Sequence, residues 1–180
     1  MIIAISGSQC TGKSTLMNEL KKDEKFKDFK FKDEIVRTLI KELNIKINDQ
    51  GDDITQFLVM YNHFKNAINT DKNIITDRCA IDCHVYSTYL YMNNKISKYT
   101  MNESTKMVNK LKDKYSLIYY LPPEIELKSD GVRSDSEEFR QNTHNIFLEI
   151  FNDFNIPYIE LRGSVNQRLM DFKKNYENIV

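Results

Sequence analysis

The chain is expected to form one α/β domain on a parallel sheet, and three observations carry that expectation. Apolar runs of strand length alternate with stretches whose apolar residues recur at helical spacing. Its 180 residues, 41% of them hydrophobic, suffice to bury one core and show no composition break that would divide it. The run GSQCTGKST, residues 7–15, follows an apolar strand and opens a helical stretch, the context in which a glycine-rich loop binds phosphate.

The elements follow in order. Ile2 to Ser6 is a continuous apolar strand, and the glycine-rich loop leads from it into the first helix. A short strand is expected around Phe29 to Phe31. Ile35, Val36, Leu39, Ile40 and Leu43 mark one amphipathic helix; Ile54, Phe57, Leu58, Tyr61, Phe64 and Ile68 mark another, and both stripes are expected to face the core. Asn73 to Asp77 is the third strand, followed by helices over Ala80 to Met92 and Met101 to Lys114. Leu117 to Leu121 is the fourth strand. It runs into Pro122 to Asp135, an aperiodic stretch with two prolines and an Asp-Gly turn, expected to be a mobile surface loop. A helix over Ser136 to Phe154 should turn Phe139, Ile146, Phe147, Ile150, Phe151 and Phe154 inward, and a last strand, Pro157 to Leu161, precedes a helix over Val165 to Tyr176.

Composition narrows the function classes. Lys+Arg and Asp+Glu balance at 26 each, so no net positive charge favours a non-specific grip on nucleic acid. Cys10, Cys79 and Cys83 form neither a disulfide framework nor CxxC pairs, which points to a reducing cytoplasm. The apolar start is one strand long, too short for a secretory signal, and no apolar run reaches membrane-spanning length, so a soluble protein without a membrane partner is expected.

The glycine-rich run matches G-x-x-x-x-G-K-[ST], the Walker A or P-loop pattern. Gly7 and Gly12 let the backbone turn so that N–H groups from Ser8, Gln9, Cys10 and Thr11 onward converge on phosphate oxygens, and the helix N-terminus adds positive dipole. Lys13 neutralises the β- and γ-phosphates, Ser14 holds Mg²⁺, and Thr15 completes the run. ATP with Mg²⁺ is the expected ligand pair.

The fate of the γ-phosphate depends on residues elsewhere. Strand ends in a parallel sheet line the ligand crevice, so Asp77, closing the third strand, is placed to reach the metal. The next residue is Arg78 and not a second acid that would activate water, which favours phosphoryl transfer over hydrolysis. Arg78 is read as stabilising developing charge; the plainer alternative is a surface i,i+4 pair with Asp82. Cys79 and Cys83 share a helical face with His84 beside them, and core packing explains them better than a metal site.

Asp33 and Glu34 follow the second strand, with Arg37 one turn later. Either carboxylate is a candidate to orient or deprotonate an acceptor hydroxyl, with Arg37 on an anionic part of the acceptor; equally, Glu34 and Arg37 form an exposed i,i+3 pair at a helix start. Lys128, Arg133 and Arg140 flank or enter the aperiodic stretch. A closing loop that carries Arg133 would bring positive charge to the transferring group and exclude water, whereas Arg140 either contacts substrate or pairs with Glu137 or Glu138. The acceptor-binding candidates are Glu34, Arg37, Asp82 and Arg140.

The strand, loop and helix at the start, E-I-V-R at Glu34 to Arg37, D-R-x-x-x-D at Asp77 to Asp82 and D-G-V-R at Asp130 to Arg133 together resemble a group of small P-loop kinases. The likeness covers nearly the whole chain. It is to the ribosylnicotinamide kinase domain of the bacterial bifunctional NAD-salvage protein and to related AAA-type ATPases, and more distantly to thymidylate and other nucleoside kinases. It implies a P-loop NTPase fold with a five-stranded parallel sheet in order 2-3-1-4-5 sandwiched by helices, a lid over about residues 122–140, and a nucleoside-like acceptor. Cys79 stands where thymidylate kinases carry an aromatic residue after Asp-Arg, so no thymine pocket is carried over. The segment ELRGSVNQRL resembles the loop that packs on adenine in such kinases, which makes Gly163 to Val165 base-contact candidates; an ordinary strand-to-helix turn is the alternative.

The expected function is transfer of the γ-phosphoryl of MgATP to a nucleoside or nucleotide. Two alternatives stay open: a kinase acting on a hydroxyl within nucleic acid, which the balanced charge disfavours, and a non-catalytic nucleotide switch or regulatory ATPase.

Overall fold

In the computed structural model, β1 (Ile2–Ser6) occupies the centre of a parallel sheet, between β3 (Ile74–Asp77) and β4 (Leu117–Tyr120). The edges are β2 (Lys30–Lys32) and β5 (Ile159–Glu160), which gives the order β2-β3-β1-β4-β5. The structure describes residues 1–33, 43, 45–68, 73–127 and 136–179. Six helices are described: α1 (Lys13–Lys22), α2 (Asp53–Ile68), α3 (Ala80–Met92), α4 (Lys98–Leu111), α5 (Glu137–Asp153) and α6 (Val165–Glu177).

Strand alternation sorts the core into two layers. Ile3, Ile5, Leu117 and Tyr119 pack with Leu16, Met17 and Leu20 of α1 and Phe172 of α6 on one face. Ala4, Ile118 and Tyr120 pack with Ile81 and Val85 of α3, Val108 of α4 and Phe147 and Phe151 of α5 on the other. Cover on both faces is why β1 reads as an unbroken apolar run. Register then brings the functional ends together, since Ile5 pairs with Asp77 and Ser6 with Tyr120. Among the described residues no helix is long and apolar enough to cross a membrane.

Several boundaries move for identifiable reasons. The second strand begins at Lys30 and not Phe29, whose N–H is already engaged by Phe26 O at 2.9 Å in the preceding turn. α4 begins at Lys98, three residues before the expected Met101, because the Ser97 hydroxyl caps it by accepting from Thr100 N. Ser136 caps α5 in the same way, and Phe139, Ile146, Phe147, Ile150 and Phe151 face inward as expected.

The apolar stripe of α2 overturns an expectation. Ile54, Phe57, Tyr61, Phe64 and Ile68 are exposed, and the buried side carries Thr55, Gln56, Val59, Met60, His63 and Ala67. The inward face joins Ala80, Cys83, Met107 and Leu111 in a third cluster, and its polar members line a pocket, which explains why polar groups were retained there. The helix expected over Ile35 to Leu43 lies outside the described residues except Leu43, which is exposed.

Candidate active site

β1 stops at Ser6 and the loop from Gly7 returns the chain into α1. At Gly7, with φ +145°, a Cβ would stand 2.5 Å from Leu121 O; Gly12 has φ +87°. Both conformations are strained for ordinary side chains. Lys13 Nζ donates to Ser8 O at 2.5 Å, Gly7 O at 2.9 Å and Thr11 Oγ1 at 3.2 Å, so the ammonium lies over the loop it serves. The Ser8 hydroxyl and the Gln9 carboxamide are buried and make no hydrogen bond among the described residues. A polar cradle of this kind suits an anion better than an apolar ligand.

Ser14 Oγ donates to Asp77 Oδ2 at 3.1 Å, which joins the first turn of α1 to the end of β3. A hydroxyl and a carboxylate at this spacing beside a phosphate cradle are hard oxygen donors, and they fit Mg²⁺, an ion that binds few protein oxygens and completes its shell with phosphate and water. Among the described residues no group of three or more His, Cys, Asp or Glu could hold a metal, so a metal bound here would draw on its ligand's oxygens.

Arg78 follows at φ 73°, a costly conformation for a non-glycine residue. It is held by Thr76 Oγ1, which donates to Arg78 O at 2.9 Å, and by Arg78 N, which donates to Ile5 O. The guanidinium is buried, donates to Gly7 O at 3.0 Å, pairs with Asp82 at 3.4 Å and lies 5.1 Å from the centre of the Tyr86 ring. The Arg78–Asp82 pair is therefore an interior contact at the loop, unlike the surface pair weighed above. Asp82 is also the third residue of a capping box on α3, and it accepts from Cys79 N, Ser6 Oγ and Gly7 N. One carboxylate thus fixes the helix start, the end of β1 and the loop entrance.

Beyond Arg78 lies a pocket lined by Asn48, Thr55, Gln56, His63, Arg78, Asp82 and Tyr86, among others. Gln56 is anchored by Ser87 Oγ, which donates to its Oε1 at 3.0 Å, and the buried Asn48 Nδ2 makes no hydrogen bond among the described residues. The lining residues of α2 and the Asn48 turn are absent from the sequence expectations. Their only signal was polar residues interleaved with the apolar stripe of α2, which reads as solvent exposure.

Other expected site residues lie apart. Asp33 is exposed and receives Lys21 Nζ at 2.6 Å near the far end of α1. Glu34, Arg37, Lys128 and Arg133 lie outside the described residues, as does the middle of the expected lid, residues 128–135. Arg140 is buried, pairs with Glu137 at 2.7 Å and donates to Ile125 O, which ties α5 to the start of the lid segment. At Gly163 to Val165, Gly163 has φ 80° and the Ser164 hydroxyl caps α6, accepting from Gln167 N. Cys83 Sγ faces Gln56 while His84 Nδ1 meets Ser104 Oγ at 2.8 Å, so the two side chains have separate partners. Burial pushes the Cys83 thiol up to about 12, and burial together with the Asp82 charge raises Cys79 well above the ordinary thiol range.

A network behind the loop had no counterpart in the sequence reading. Arg168 of α6 is buried; its Nη1 donates to Thr11 O at 2.6 Å and its Nη2 to Glu124 Oε2 at 3.1 Å. Glu124 also accepts from Gly163 N and Arg162. Burial alone would raise the Glu124 carboxyl, but these three donors hold it below the usual carboxylate range.

Residues 2–168 match the model of an AAA domain family. The chain belongs to this AAA domain family. No curated protein matches it. Among solved structures, this AAA domain protein is similar to the NadR protein in complex with NR, at TM-score 0.76 and 20% identity over 99% of this chain and 51% of that one. It thus spans about half the length of NadR. It is also similar to deoxyadenosine kinase from M. mycoides with the products dCMP and a flexible dCDP bound, at TM-score 0.72 and 19% identity over 100% of both chains. The chain shares its fold with these structures, and its five-stranded parallel sheet in order 2-3-1-4-5 is the one the sequence resemblance implied.

Proposed function

We propose that this protein is a kinase that transfers the γ-phosphoryl group of MgATP to a nucleoside or nucleotide. The observation that carries the reading is Arg78. Its guanidinium contacts the phosphate loop at Gly7 O on one side and lines the pocket formed with Gln56, His63 and Tyr86 on the other, so donor and acceptor sites would meet at a cation. Kinship in fold to NadR and to deoxyadenosine kinase supports a small acceptor of nucleoside type.

In the proposed reaction the loop amides and Lys13 bind the triphosphate, and Ser14 with Asp77 would hold Mg²⁺, which would supply positive charge against the triphosphate. The acceptor oxygen attacks the γ-phosphorus while the bond to the ADP oxygen breaks. The hydroxyl proton passes to a carboxylate, which we assign to Glu34 in preference to Asp33 because Asp33 is exposed and engaged with Lys21. Arg78, and Arg133 from the lid segment, stabilise charge on the transferring group. Asp82 lines the acceptor pocket and acts through the positions of Arg78 and Gly7; Arg37 would contact the acceptor, and Arg140, engaged by Glu137 and Ile125 O, would act through the lid segment.

The test is acceptor-dependent ADP release across nucleosides, nucleoside monophosphates, nicotinamide riboside and DNA, in wild type and Lys13→Ala. Stimulation by a nucleoside or nucleotide that Lys13→Ala abolishes is the expected result. A basal rate that no acceptor changes would favour a nucleotide switch, and stimulation by DNA alone would move the acceptor into nucleic acid.

A further inference from the structure

Arg168 lies 157 residues from Thr11 in the chain, yet its guanidinium closes on the back of the phosphate loop. A Cβ on Gly12 would meet both Arg168 Nη1 and Ile125 Cδ1 at 3.0 Å, so guanidinium and isoleucine rest directly against the Gly12 α-carbon. The Thr11–Gly12 peptide is planar and trans. With its carbonyl drawn to Arg168, the Gly12 N–H is held pointing the opposite way, as a phosphate cradle requires of its amides. Rotation of that peptide would break the 2.6 Å hydrogen bond and leave a buried guanidinium short of a partner, since among the described residues Arg168 Nε already has none.

The second half of the contact fixes Arg168 itself. Glu124 receives Arg168 Nη2, Gly163 N and Arg162 Nη1, so a single carboxylate joins the segment after β4, the turn after β5 and, through Arg168, the phosphate loop. Backbone from two strand ends is thereby tied to the peptide between Thr11 and Gly12.

We propose that Arg168 is a positioning residue that holds the Thr11–Gly12 peptide in its phosphate-binding orientation, and that Glu124 keeps it in place. The consequence for phosphoryl transfer rests on the kinase reading above; the loop geometry does not. Arg168→Met preserves much of the buried volume and removes both hydrogen bonds. Arg168→Lys keeps a donor for one partner only, and Glu124→Gln keeps the shape while weakening the grip on Arg168.

The test combines amide hydrogen exchange of the nucleotide-free protein with steady-state kinetics, and uses Leu111→Ala, in the third core cluster, as a control that lowers stability without touching the loop. Exchange in the 7–14 segment should speed up roughly tenfold or more in Arg168→Met, with smaller increases in Arg168→Lys and Glu124→Gln, and should hold steady in the control. KM for ATP should rise by a similar factor while KM for the acceptor stays the same. Glu124→Gln should add little to Arg168→Met if both act through one contact. Unchanged exchange of the 7–14 segment in Arg168→Met, or in the two milder variants if that one fails to fold, overturns the proposal whether or not ATP is turned over. Altered exchange in a protein whose wild type shows no acceptor-dependent ADP release would retain the positioning role and remove the kinase reading.

Discussion

Ser14 Oγ donates to Asp77 Oδ2 at 3.1 Å, so a helix start and a strand end that are 63 residues apart in the chain present two hard oxygens side by side. The pairing follows from topology. β3 lies next to β1, and the register that sets Asp77 opposite Ile5 leaves it level with the beginning of the phosphate loop.

Asp77→Asn tests whether that pair serves a metal. The amide keeps an acceptor for Ser14 but removes the charge that a divalent cation would use. The gain in ATP affinity on adding Mg²⁺ should shrink roughly tenfold or more, with metal-free binding much less affected. Titration calorimetry with and without Mg²⁺ measures the difference; an undiminished Mg²⁺ effect would exclude Asp77 from the metal site.

Asp82 should matter for stability more than its place on a helix suggests. It is 1% exposed and accepts from Ser6, Gly7, Cys79 and Arg78, so Asp82→Ala strands a buried guanidinium and several donors at once. A loss of roughly 3–5 kcal/mol is expected. Because the chain has no tryptophan, urea unfolding followed by circular dichroism is the suitable measurement. A loss below about 1 kcal/mol would show that water takes over the role of the carboxylate.

Acid sensitivity should trace to His84. Burial lowers its pKa to about 4 in the folded protein, against 6.5 for the ordinary imidazole, with Ser104 Oγ at its Nδ1 and the Phe154 ring packed edge-on. Between those values the unfolded chain binds more protons than the folded one, so stability falls as pH falls. The loss from pH 7 to pH 5 should be about 2 kcal/mol from this residue. His144, also lowered by burial, adds to it with the same sign. Denaturant midpoints at pH 7 and pH 5 for wild type and His84→Leu check this; the wild-type difference should shrink in the variant.

What could be read from sequence was what is local. GSQCTGKST carries its own glycines and lysine, and strand ends such as Asp77 follow from apolar runs of four or five residues. The orientation of α2 was not local. Its apolar stripe is a valid helical face, but the side that carries Gln56 and His63 turned inward to meet α3, a choice set by what the neighbouring helix and the pocket require. Arg168 was hidden for a similar reason, since an arginine in the first turn of a C-terminal helix gives no sign that a carbonyl 157 residues earlier is its partner. The Arg78–Asp82 spacing was legible and its environment was not: i,i+4 predicts the contact, while burial decides that it belongs to the loop and not to the surface.

Thiol chemistry offers a last prediction, on Cys10. This residue sits in the phosphate loop at φ 54° and is partly exposed, whereas Cys79 and Cys83 are buried with thiols raised above the ordinary range. Alkylation requires thiolate and access together. Iodoacetamide should therefore modify Cys10 in the folded protein and reach the other two only on unfolding, as mass spectrometry of the peptides would report. In the proposed kinase the triphosphate lies against the same loop, so MgATP should slow Cys10 labelling and the alkylated protein should lose ATP binding. Cys10→Ser should escape that inactivation while keeping ATP binding. Equal labelling rates with and without MgATP, at ATP concentrations that saturate turnover, would place the triphosphate away from Cys10 and contradict the assignment of residues 7–15 as its cradle.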